Sequence, residues 1–64
     1  MRDWSALRIR ALELLREGWR SPSELARELN IDPKDAKAIL SDLHRRGLVY
    51  RDGPMTIARE GMVG

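Results

Sequence analysis

Two helix starts lie close together in this chain and leave it few ways to fold. Ser21 precedes Pro22, and Asp32 precedes Pro33. A polar residue followed by proline suits the cap and the first position of a helix, because the N–H that proline lacks has no helical partner there. Glu24 follows Ser21 at the spacing of a capping box. Only one short helix, about residues 22–29, fits between the two starts, with Leu25, Ala26 and Leu29 as its apolar side. Asn30-Ile31-Asp32 is then a three-residue turn, and Asn tolerates the left-handed backbone that such a turn needs. The next helix, capped by Asp32, is expected over about 33–46 and is stopped by Gly47. Ile31 is placed to pack on Ala36 as a hydrophobic staple, and Leu48 to fold back onto Leu43 as in a Schellman cap.

Upstream, Leu7, Ala11, Leu14 and Leu15 recur at spacings of three and four, with Ile9 and Leu12 widening the stripe. That period predicts an amphipathic helix over about 5–17, closed by Gly18 in a left-handed cap conformation. Trp19 is expected as a lid over the core between the first two helices. Downstream, Val49-Tyr50-Arg51 and Pro54-Met55-Thr56-Ile57-Ala58 flank Asp52-Gly53, which reads as a hairpin over about 48–58 turning at Asp-Gly. Pro54 has no N–H to donate, so the tip is expected to be irregular.

Length sets the scale. Sixty-four residues make a single domain, 1–64, and a chain this short buries only about 60% of the surface it exposes when unfolded. Its apolar content therefore suffices for three helices and a small sheet. The absence of Cys removes disulfides, and a single His argues against a structural zinc site. No apolar run approaches the roughly 20 residues of a membrane span, and the N-terminus lacks a signal-peptide apolar region. These features predict a soluble cytoplasmic protein without cofactor or metal. Asn, Gln and Cys are scarce and most of the basic residues are Arg. The first suits a thermophile, and the second suits a GC-rich genome equally.

The order helix, turn, helix, hairpin is that of a helix-turn-helix with a wing, which offers one helix to a nucleic-acid groove. The chain resembles the winged helix-turn-helix superfamily of small DNA-binding regulators, of the MarR and ArsR kind. The residues that carry the likeness are Ala11-Leu12-Glu13-Leu14-Leu15, Ser23-Glu24-Leu25-Ala26, Leu29-Asn30-Ile31, then Ala36, Leu40 and Leu43, then Gly47-Leu48-Val49 and Ile57-Ala58-Arg59-Glu60-Gly61. The resemblance implies a mostly helical α+β fold, a three-helix winged helix-turn-helix with a short C-terminal hairpin. Asn30 stands where the family usually has Gly. Asp35 stands where uncharged or basic residues are commoner. The C-terminal dimerisation helix of many such regulators has no counterpart after Gly61.

On a wheel at about 100° per residue, Ala36, Leu40 and Leu43 gather on one side of the third helix, with Ile39 at the edge. Lys34, Lys37, Ala38, Ser41 and Arg45 gather opposite. Donors with little bulk between them suit a groove-reading helix, although a solvated helix face carries the same pattern. Asp35, in the first turn, suits the helix dipole, and Asp42 is spaced to pair with Arg46. The family implies phosphate-backbone contact around Arg20, Ser23 and Arg27, although Arg20 and Arg27 read equally as surface charge. Arg51 is the wing's basic residue, placed for a minor groove or a phosphate, or simply for an edge-strand charge. His44 reads as a boundary residue.

A net charge of only +2 is a weak footprint for nucleic acid taken whole, so charge placement must decide. The expected function is double-stranded DNA binding by a small transcriptional regulator. The alternative is a protein-docking module within a nucleic-acid-processing assembly. A weak homodimer through Trp4 or Met62-Val63 is also expected. No nucleophile elbow, phosphate loop or acid–base set supports an enzyme.

Overall fold

The computed structural model describes residues 3–59. Three helices, α1 (Trp4–Glu17), α2 (Pro22–Leu29) and α3 (Pro33–Arg45), precede two antiparallel strands, β1 (Val49–Asp52) and β2 (Met55–Ala58). The fold is the mostly helical α+β arrangement of a winged helix-turn-helix.

Local chemistry sets each helix end. Asp3 caps α1, its carboxylate accepting from the Ala6 N–H at 3.2 Å, a start one residue earlier than the apolar period suggests. At α2 the capping box is complete: Ser21 Oγ accepts from the Glu24 N–H, and Glu24 Oε1 accepts from the Ser21 N–H, both at 3.2 Å. Asn30 takes the left-handed conformation at φ 57°. The Ile31 N–H then reaches the Ala26 carbonyl at 2.9 Å, and the Asn30 N–H reaches Arg27 at 3.3 Å. α3 ends by the same device. Gly47 sits at φ 75°, the Leu48 N–H donates to Leu43 and the Gly47 N–H to His44, each at 3.0 Å. Both are Schellman motifs, which satisfy carbonyls that a helix end leaves open.

Several expectations need correction. Gly18 is extended, at φ 160°, because the chain leaves α1 directly toward a bridge with β2 rather than turning back on itself. Asp32 occupies the cap position of α3 with extended backbone, but its side chain makes no cap hydrogen bond. Ile9 is 61% exposed, since α1 turns Ala11 and Leu15, flanked by Leu7, Leu12 and Leu14, toward the core and leaves Ile9 outside that side. Ile39, expected at the edge of the buried side, is fully inside it. His44 is exposed rather than at the boundary. Trp19, expected as a lid over the core, is 38% exposed and is not among the residues packed on the core cluster. The hairpin turns at Gly53-Pro54, not Asp52-Gly53, because Asp52 pairs with Met55. Gly53 has φ 61° and proline requires a negative φ, which is the sign sequence of a II′ turn. Ladder pairing therefore runs to the tip, which is regular.

One cluster forms the core: Ala11 and Leu15 from α1, Leu25, Ala26 and Leu29 from α2, Ala36, Ile39, Leu40 and Leu43 from α3, and Val49 and Ala58 from the hairpin. Leu7, Leu12, Leu14 and Ile31 pack around it, half-buried. β1 lies against α3 and β2 against α1, so the hairpin is wedged beside the helices. Leu40→Ala should cost about 2–5 kcal/mol, the range for a buried Leu truncation. Ile9→Ala should stay within about 0.5 kcal/mol. Denaturant unfolding of the two variants checks the pair, and equal losses would show the helix faces to be misassigned.

Candidate nucleic-acid interface

The interface is built around a residue between helices. The Arg20 N–H donates to the Thr56 carbonyl at 2.8 Å, and the Thr56 N–H donates back to Arg20 at 2.9 Å. Thr56 also faces Arg51 across the hairpin, so β2 is paired on both sides at this point. The Arg20 side chain, only 16% exposed, lies along α2 and donates from Nε to both oxygens of Glu28, at 3.1 and 3.0 Å. Glu17 lies 3.8 Å away as a second carboxylate. Arg20 therefore ties the α1–α2 link, α2 and the hairpin together, and its guanidinium is engaged within the protein.

Other arginines are engaged as well. Asp42 pairs with Arg46 at 3.0 Å, as the spacing predicts, and also with Arg8 of α1 at 3.6 Å. Arg59 donates to the Gly47 carbonyl at 3.1 Å and lies 5.2 Å over the Tyr50 ring. These contacts of Arg8, Thr56 and Arg59 have no counterpart in the sequence pattern. Their partners lie far along the chain, and no local spacing announces them.

The remaining cations sort differently. Lys34, Lys37, Ala38, Ser41 and Arg45 are all exposed on one face of α3, as the wheel predicts. No ion pair among the described residues involves Lys34, Lys37, Arg45 or Arg51. A cleft of about 320 Å³ runs between α3 and the hairpin, lined by Pro22, Lys37, Leu40, Ser41, Arg51, Pro54 and Thr56. It brings Lys37, Ser41 and Arg51 together. Ala38 and Arg45 instead border a shallower depression with Trp4, Arg8, Ile39 and Asp42. Ser23 and Arg27 are exposed on α2, outside both, and Ser23 Oγ lies 3.1 Å from Ser21 Oγ. Trp4 is 41% exposed, whereas Met62-Val63 lies outside the described residues.

Residues 5–51 match the family model described as bacterial regulatory protein, arsR family. The chain belongs to the ArsR family. Curated proteins and solved structures give no match. The matched span holds every expected contact residue from Arg20 to Arg51 and ends before β2. An ArsR-family domain is a DNA-binding regulatory domain, and in this one Lys34, Lys37 and Arg45, which form no ion pair among the described residues, lie on the helix that follows the turn. No helix among the described residues is long and apolar enough to cross a membrane.

In this ArsR-family domain the capping box of α2 also favours the charged form of Glu24. The Ser21 N–H and hydroxyl hold Glu24 below its ordinary value of 4.5, with smaller help from Arg20 and Arg27. A carboxylate whose folded pKa is depressed adds stability above its unfolded value, and loses it as pH falls through the folded value. Unfolding midpoints measured from neutral pH to below 4.5 should therefore fall in acid, and Glu24→Gln should flatten that fall. Arg20→Met keeps the two backbone bonds to Thr56 and loses the pair with Glu28. An exposed pair contributes about 0.5–1 kcal/mol, so Thr56 amide exchange should quicken about two- to fivefold. Exchange within α3 should stay as it was.

Proposed function

We propose that this domain is a small transcriptional regulator that binds double-stranded DNA by laying α3 in the major groove. The observation that carries the reading is the exposed face of α3, where Lys34, Lys37, Ser41 and Arg45 present donors with only Ala38 between them. Lys34 and Lys37 fall in the first two turns, where a recognition helix approaches base edges. Ser23 and Arg27 on α2, and Arg51 on β1, flank that face as backbone contacts. Arg20 has a positioning role here, since its guanidinium already holds Glu28. Asp35 sits in the first turn of α3, half-buried on the flank rather than at the centre of the face, and suits the positive helix end.

Electrophoretic mobility shift of random duplex at two salt concentrations tests the reading. Wild type should bind at low salt and weaken steeply as salt rises, because released counterions drive much of the affinity. Lys34→Ala should weaken binding about five- to tenfold, consistent with loss of about 1–1.4 kcal/mol at one cationic contact. Glu13→Ala, on the exposed side of α1, should change nothing. Wild type that shifts no duplex, or two variants that behave alike, would sink the DNA reading, and docking onto a protein partner would replace it.

A further inference from the structure

We propose that Lys37, Ser41 and Arg51 together hold one backbone phosphate in the cleft between α3 and the hairpin, and that base discrimination falls to Lys34 and Ala38. The inference rests on the DNA-binding reading above and divides its contacts. The lining of the cleft supplies an ammonium, a guanidinium and two hydroxyls, and it contains no carboxylate. Its remaining walls, Pro22, Leu40 and Pro54, are apolar. Two cations that share a cleft repel each other, and an anion between them relieves the repulsion, the more so beside low-dielectric walls. The neighbouring depression at Ala38 and Arg45 contains Asp42, which makes it a poorer place for a phosphate.

The strand pleat also turns Arg51 away from a minor groove. Arg51 stands on the same face of β1 as buried Val49, and opposite Thr56, so it faces α3 rather than outward. The hairpin tip, Asp52-Gly53-Pro54, carries a carboxylate and no cation. The wing of this domain therefore closes on the DNA backbone instead of reading bases.

The test combines salt dependence with sequence selection. Binding of random duplex is measured against salt for wild type, Lys37→Ala, Arg51→Ala and the double variant. Each protein, with Lys34→Ala, also selects sequences from a random duplex pool. Both substituted side chains are exposed, and unchanged melting confirms that the variants fold. One shared phosphate predicts that the double variant lowers the magnitude of the salt slope by about 0.9. It should weaken binding on the order of tenfold. The double variant should select the same sequences as wild type, and Lys34→Ala different ones. A slope change of about 1.8 would mean two separate phosphates and overturn the proposal. So would an unchanged slope, or an altered selection by the double variant. In those cases wild type still binds, and the DNA reading stands. Wild type that binds no duplex removes both.

Discussion

The pairing of Arg20 with Thr56 is the constraint on which the rest of the arrangement depends. A two-stranded hairpin alone is marginal in water. Here the middle of β2 is bonded on its second side by an extended residue between α1 and α2. The same residue reaches Glu28 on α2 with its guanidinium. One position thereby fixes the hairpin against the helical pair. That position also explains the extended Gly18: a left-handed cap there would send the chain away from β2. This attachment holds β2 in place beside the helices, and β1, paired to β2, lies against α3 and forms one side of the cleft.

Two groups of cations stand apart in the fold. Arg8, Arg20, Arg46 and Arg59 hold carboxylates, a carbonyl or an aromatic ring within the fold. Lys34, Lys37, Arg45 and Arg51 gather on the face of α3 and the adjoining strand. A net charge of +2 does not describe what a duplex would meet at this face, because Glu17, Glu28 and Asp42 are paired with Arg20, Arg46 and Arg8 away from it. Glu28, Asp42 and Glu24 are each held by a named donor, which keeps them directed at the protein. Whole-chain charge is a poor guide in a domain this small, where a handful of pairings rearranges the surface field.

Packing and capping cooperate in placing α3. The Schellman end at Asn30 turns the chain within three residues, and Pro33 starts the next helix with a fixed φ. Ala36, Ile39, Leu40 and Leu43 then lock its rotation, because turning the helix would expose them. The face opposite is left to solvent by the same geometry. α3's outward stripe is thus a consequence of its buried one, and the Leu43–Leu48 closure then delivers the chain into β1 beside it.

The helices, the capping box of α2, the helix ends at Asn30 and Gly47, and the buried and exposed sides of α2 and α3 were legible in the sequence because they follow from interactions within four or five residues. Ser21-Pro22-Ser23-Glu24 contains its own capping box, and the wheel position of Lys34, Lys37 and Ser41 follows from helical period alone. The hairpin was legible in kind but displaced at its turn, since two-residue loops at Asp-Gly and Gly-Pro differ only in register. Cross-strand pairing, Asp52 with Met55, decides between them. The roles of the arginines were not legible. Arg20 and Arg51 look alike as loop and strand cations, yet one meets Glu28 and the other faces Lys37 across a cleft. A guanidinium reaches several ångströms and accepts whichever carboxylate folding brings near. Its partner is therefore set by the packing of distant segments, which only the tertiary structure decides.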